Sequence, residues 1–373
     1  MEKFFLAALQ GIDGVGGIRI RRLTDYFGSA AEAWRADRGD IAAAGILDGG
    51  VLENLLHARR ERPDWPDRLQ EECSRKGISL CSRDEEGYPE LLKEIHNPPA
   101  VLFFRGTLAG ARPRLAMVGS RRVSAYGRNV AESLGRALAG HGFAVVSGAA
   151  LGVDTCSHQG ALAKGVTEAV LGCGVDVAYP PANGRLLAEI AEKGAVLSEY
   201  LPGTKPLAAN FPARNRIISG MSLGTIVVEA ARRSGSLITA EMAISEGRDV
   251  FAVPGSIFSP VSMGCNRLIQ QGAKLVIDSC DIIEEYPEFV KKRGKQKNND
   301  EKNKTHAIIT KTEEEILRVL SYDDPLSIDE VIYRLHGGDV ANAAFVLLQL
   351  EFKGLVRSDD LHRYVRTVKE GVL

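Results

Sequence analysis

Six short, apolar, β-branched runs separated by helical patterns constrain this chain more than any other feature. The runs fall at residues 115–119, 144–147, 168–171, 195–198, 224–228 and 250–253; helical patterns occupy 125–140, 153–164, 184–193 and 240–246 between them. Strands spaced by helices in this way read as βαβ units and predict a parallel sheet. The runs are apolar throughout rather than alternating, which suits strands covered on both faces. The expected core is therefore an α/β, Rossmann-like domain over residues 73–287.

The flanks follow different rules. Residues 1–72 alternate helical patterns with glycine-rich breaks and predict a small all-helical domain, SAM-like or of helix-hairpin-helix type, with Pro63, Trp65 and Pro66 marking its exit. The turn Gly14-Val-Gly-Gly17 resembles one whose amides contact DNA phosphates, and equally a plain interhelical turn. Residues 291–304 carry seven basic and two acidic side chains and no apolar one, so 288–306 is expected to be a flexible basic linker. Beyond it, Thr312-Glu-Glu-Glu315 and Ser327-Ile-Asp-Glu330 read as capping boxes, 341–352 as a third helix stopped by Gly354, and 355–366 as a hairpin turning at Asp359-Asp360. Three helices and a hairpin outline a winged helix over 307–373. Its third helix offers Asp339, Glu351 and the single base Lys353, with Asn342 and Gln349 a thin supply for reading a groove. Arg357, Arg363 and Arg366 on the hairpin keep a DNA role open beside the preferred protein-interaction role.

Bulk properties exclude several classes. A net charge of −1 over 373 residues gives no general pull on polyanions, so any nucleic-acid site must be a local patch. The six cysteines form no Cys-x-x-Cys pair and no metal spacing with histidine, which reads as reduced, mostly buried thiols. Neither a secretory core nor an apolar run of the roughly 18 residues needed to span a membrane is present. A cytoplasmic protein without metal or cofactor is expected.

Three constellations carry chemistry. Val118-Gly-Ser-Arg-Arg-Val-Ser-Ala-Tyr-Gly127 joins a strand to a helix, so Gly119 and Ser120 with the helix N-terminus suit a phosphate, and Arg121 and Arg122 add charge. It lacks the dinucleotide fingerprint, and Gly160-Ala-Leu-Ala-Lys-Gly165 lacks the Lys-Ser/Thr of a Walker loop. A tight turn with solvated arginines is the plainer alternative. In the second, the small residues from Ser147 and Gly148 to Ala150 let backbone approach a ligand, while Asp154 and His158 share a helix face, best read as a capped helix with a hydrogen-bonded histidine. In the third, Phe211-Pro-Ala-Arg-Asn-Arg216 sets Arg214, Asn215 and Arg216 beside an aromatic ring, followed by Ser234-Gly-Ser236; on an extended segment Arg214 and Arg216 point to different sides, on a turn both can face a ligand. Arginines hold phosphates while a ring stacks on a base. Glu229 is either a salt-bridge partner for these arginines or, in a rival enzymatic reading as a phosphoribohydrolase, the acid of Gly224-Thr-Ile-Val-Val-Glu229. That run has one residue too many for the nucleotide-processing Gly-Thr-x-x-Glu signature.

Taken in order, Val118 to Arg121, Ser147 to His158, 169–172 with Tyr179-Pro180, Ser198-Glu199, Phe211 to Arg216, 228–230, 234–240, Gly247-Arg248, 252–255 and 264–272 resemble the DprA/Smf family of DNA-processing proteins. The resemblance implies a mediator without turnover that binds single-stranded DNA in a basic pocket at the carboxyl edge of the sheet. It implies self-association, loading of the RecA recombinase during natural transformation, and action beside single-strand-binding protein. It makes Gly119, Ser120 and Arg121 the phosphate turn, Phe211 the stacking ring, and Arg122, Ser147, Gly148, Arg214, Asn215, Arg216, Ser234, Gly235, Ser236 and Asn266 further DNA-binding residues. Ala149-Ala150 and Met221 depart mildly from the family's pattern.

Overall fold

The computed structural model of the chain describes residues 1–289, 309–335, 340–359 and 361–367; the basic segment 291–304, Asp339 and Asp360 lie outside them. Six helices open the chain: α1 (Glu2–Gln10), α2 (Gly17–Phe27), α3 (Ala30–Arg35), α4 (Arg38–Ala43), α5 (Gly49–Glu61) and α6 (Trp65–Lys76). Pro66 stands in the first turn of α6, where its missing N–H has no helical partner to lose, so the expected exit is instead a helix start. The core of these helices is continuous with Leu80, Val101 and Phe103 of the sheet. The Gln10 side chain seals the join by accepting from Val101 N and donating to the carbonyls of Val101 and Glu199. The glycine turn belongs to that join: Val15 is buried, and a Cβ on Gly17 would meet the Pro98 carbonyl oxygen at 1.9 Å.

The central elements are β1 (Ser79–Ser82), α7 (Glu90–Lys93), β2 (Val101–Gly106), β3 (Arg114–Val118), α8 (Ala125–Gly140), β4 (Ala144–Ser147), α9 (Val153–Leu162), β5 (Thr167–Val170), α10 (Gly184–Lys193), β6 (Ala195–Ser198), α11 (Asn210–Gly220), β7 (Gly224–Val227), α12 (Gly235–Ser245), β8 (Asp249–Ala252), α13 (Met263–Gln270), β9 (Lys274–Leu275) and α14 (Cys280–Ile283). The strands form one sheet in the order β1-β2-β6-β5-β4-β3-β7-β8-β9. The expected strands are all there and parallel, buried on both faces and largely apolar, with Glu168 a buried exception. The expectation of a purely parallel sheet is corrected at one edge, where β2 pairs antiparallel with β6, and β1 antiparallel with β2. A buried ion pair crosses the sheet: Arg114 Nε donates to Glu168 at 2.7 Å. Such a pair fixes strand placement more than it adds stability.

Helix α11 is the main local correction, because residues 211–216 are expected on an extended segment or a turn and are helical. Pro212 reads as a breaker, yet it occupies the first helical turn, where the amides lack intrahelical acceptors anyway. The connection order reverses between β3 and β7: β4 to β6 build outward on one side, β7 to β9 on the other. A crevice opens outside the carboxyl ends of strands at such a reversal.

The last elements are α15 (Lys311–Val319), α16 (Ile328–Arg334), α17 (Val340–Phe352), β10 (Val356–Ser358) and β11 (Tyr364–Arg366), the two strands pairing antiparallel. Ser327 and Glu330 form the expected capping box. The other box is Thr310 with Glu313, two residues earlier than expected, and Thr312 lies inside α15. Buried Glu313 accepts from Lys353 Nζ at 2.6 and 2.8 Å, so the base expected on the third helix's outer face ties α17 to α15.

Candidate nucleic-acid interface

The loops after β3 and β7 are neighbours because Val118 pairs with Val227, and both open into the crevice at the strand reversal. There they border a cavity of about 710 Å³ with the start of α9, α11 and the first turns of α12. Gly119, Ser120, Arg121, Phe211, Arg214, Asn215, Ser234, Gly235 and Ser236 line it, joined by Asp154, Tyr179, Arg233 and Thr239.

Its floor is built from a buried charge pair. The Arg214 Nη1 donates to the carbonyls of Gly148 (2.9 Å) and Val170, and its guanidinium lies beside Asp154. Asp154 in turn accepts from the amides of Gly148 and Ala150, each at 3.2 Å. Burial pushes Arg214 down to about 10, against the pull of Asp154, so it remains a cation at neutral pH. Burial likewise raises Asp154, opposed by Arg214. Gly148 permits this contact, since a Cβ there would lie 2.6 Å from the guanidinium and 2.8 Å from the carboxylate.

The mouth is different. Arg121 and Arg233 are exposed, and neither has a carboxylate partner among the described residues. Arg121 lies 5.8 Å from the centre of the Phe211 ring, which also meets Tyr179 at 5.4 Å. Ser234 caps α12, accepting from Ser236 N and sharing a 2.8 Å hydroxyl contact with Ser236. The first turn of α12 thus borders the cavity and brings the positive end of the helix dipole to it, although Ser234 already takes the Ser236 amide. Behind Phe211, a smaller apolar annex of about 120 Å³ is lined by Gly148, Leu171, Gly172, Cys173, Tyr179 and Pro180.

The remaining residues named from sequence sit elsewhere. Arg122 is exposed on the far part of its loop, its backbone held by Ser120 Oγ. Ser147 is fully buried and donates to Met117 O at 2.6 Å. Gly148 lies under the floor and lines only the annex. Arg216 faces away along α11 and pairs with Glu199, and Asn266 clamps the Gly255 amide and carbonyl at 3.2 and 3.0 Å. His158 is wholly buried with Nδ1 2.7 Å from Thr167 Oγ1, and burial pushes it down to about 3. Among the described residues, Glu229 meets no arginine. Its carboxylate, 2% exposed, accepts from Ser124 N and Ser124 Oγ at the start of α8, where Gly127 leaves room for it. The α8 N-terminus expected to receive a phosphate is thus already filled by a carboxylate. The two rim residues that sequence reasoning left out, Arg233 and Tyr179, adjoin runs it had quoted: Arg233 precedes Ser234-Gly-Ser236, and Tyr179 opens Tyr179-Pro180.

Comparison with known proteins gives a consistent set of relatives. A family described as DNA recombination-mediator protein A matches residues 79–287. The chain is 50% identical over 204 residues to DNA processing protein DprA of Streptococcus pneumoniae, covering 54% of this chain and 72% of that protein. It is 45% identical over 264 residues to DNA processing protein DprA of Bacillus subtilis, covering 68% and 89%. The X-ray structure of the Streptococcus pneumoniae protein superposes with a TM-score of 0.67 at 39% identity, covering 76% of this chain and 97% of the other. A Helicobacter pylori DNA processing protein A structure, described for its single-stranded DNA binding mode, matches at 0.53 and 30% identity over 57% of this chain and 97% of the other.

Proposed function

Because the chain belongs to the DNA recombination-mediator protein A family, we propose that its cleft binds single-stranded DNA as a recombination mediator and breaks no bond in it. One observation carries this reading: two exposed arginines, without carboxylate partners among the described residues and one of them beside an aromatic ring, line a glycine-walled cleft at the sheet's reversal point. Arg121 and Arg233 hold phosphates beside the positive end of α12; Phe211, with Tyr179 at its edge, stacks on a base. The Helicobacter pylori relative is described as binding single-stranded DNA. The rival enzymatic reading loses its residue, since Glu229 is committed to Ser124 and absent from the cavity wall.

The finer parts rest on the family resemblance. The chain acts in natural transformation or related DNA processing, protects incoming strands, loads RecA beside single-strand-binding protein, and works in the cytoplasm as a homodimer. Exposed Ile257 and Phe258 in the loop after β8, and exposed Ile277 after the edge strand β9, support self-association, because exposed apolar groups and a sheet edge favour a partner. Among the described residues, no helix is long and apolar enough to cross a membrane. The α15–α17 helices and the β10–β11 hairpin support a winged helix, joined to the central unit through 288–306, with residues 1–72 as a helical module.

Titration with labelled oligo-dT and with duplex DNA tests the proposal. Tight, salt-sensitive binding of oligo-dT that exceeds duplex binding supports it. Equal or absent binding of both contradicts it, and base release from nucleoside monophosphates would restore the enzymatic alternative.

A further inference from the structure

The C-terminal unit rests on α8 through polar contacts. The buried amide of Asn129 donates to the main-chain carbonyls of Tyr322 and Arg366, at 2.8 and 3.1 Å. Nearly one turn further along α8, the two Glu132 oxygens each accept from an Arg357 nitrogen at 2.9 Å. Among the described residues no apolar cluster crosses the junction: the core from Ile316 to Val356 closes on itself, and the other cores hold no residue beyond 289. A cavity of about 430 Å³ remains between the two sides, bordered by Ser133 and Arg136 on α8 and by Lys353 and Thr367 opposite. An interface made of hydrogen bonds, one ion pair and a gap, with no shared core, exchanges readily for water and salt.

What the contact occupies matters. Among the hairpin arginines, Arg363 pairs with Asp359 inside the hairpin, and Arg366 stacks over Tyr322 while donating to Leu317 O. Among these three, only the Arg357 side chain reaches across the junction in the described residues, and its bidentate grip on a carboxylate has the geometry that also grips a phosphate. We propose that Glu132 stands in for a phosphate: docking on α8 withholds Arg357, and the undocked hairpin uses it on the backbone of duplex nucleic acid. The contact is autoinhibitory, and competition by phosphate releases it.

The test uses the full chain with Arg121→Ala and Arg233→Ala already in place, which removes the rim cations of the cleft from the readout. Glu132→Gln is added, then Arg357→Gln as well. Hydrogen exchange over residues 321–326 reports docking, and a fluorescent 20-bp duplex in low salt reports binding. Glu132→Gln should speed exchange, tighten duplex binding in low salt and steepen its salt slope by about 0.9, the slope of one added phosphate contact on duplex DNA, and Arg357→Gln should erase that gain. Faster exchange without tighter binding overturns the proposal. So does a gain that survives Arg357→Gln, or exchange unchanged by Glu132→Gln.

Discussion

The cleft mouth and the C-terminal hairpin are both rich in arginine, yet their cations are in opposite states. On the hairpin, Arg357, Arg363 and Arg366 are engaged by Glu132, Asp359 and Tyr322. At the mouth, Arg121 and Arg233 stand exposed without a carboxylate among the described residues, one of them beside an aromatic ring. Helix α11 repeats the engaged state in the central unit, with Arg214 under the floor and Arg216 on Glu199. Counting arginines therefore does not locate a polyanion site. A cation already neutralised by its own protein has little charge left to displace counterions, whereas an unpaired one releases them fully on binding.

This contrast can be broken or sharpened by substitution. The largest effect is expected at the floor. Arg214→Ala leaves Asp154 buried without its cation and should cost about 3–5 kcal/mol of stability, read as a lower urea midpoint; a stable variant with only weaker DNA binding would move Arg214 to the ligand side. Phe211→Ala should lose about 1–3 kcal/mol of oligo-dT affinity, the worth of one stacked base, with the unfolding midpoint nearly unmoved. Arg216→Ala should behave in the reverse sense. It strands the Glu199 carboxylate, whose side chain is 13% exposed, and should cost about 1–3 kcal/mol of stability with oligo-dT affinity unchanged. The smallest effect concerns Ala149, held at a φ of 55° in the left-handed region. Ala149→Gly relieves about 1 kcal/mol of strain and loses a buried methyl worth about 0.8 kcal/mol, so stability should move by less than about 0.5 kcal/mol.

Much of the fold was legible because its signals are local. The apolar runs that became β3 to β8 declare buried parallel strands residue by residue, and Ser327 with Glu330 marks a helix start within four positions. Strands β1 and β2 escaped because Ser79–Ser82 is short, polar at both ends, and pairs only through β2. Helix α11 escaped because Pro212 looks like a breaker until its place in the first turn is known. The site was legible in its residue types and not in its pairing. Arg214 meets carbonyl groups 44 and 66 residues away, and Glu229 meets Ser124 across 105 residues. Such distances carry no pattern in a single sequence, so buried and free arginines looked alike. Arg233 went unnamed because a loop arginine beside Arg232 resembles any solvated pair.

The salt dependence of oligo-dT binding tests the central claim most directly. Measured from low to moderate salt, the slope of log K against log salt for Arg121→Ala/Arg233→Ala should be shallower than the native slope by about 1.4, at about 0.7 per lost phosphate contact, with affinity reduced at every salt concentration. A double variant that keeps the native slope and affinity would show that the free cations at the cleft mouth do not hold the strand.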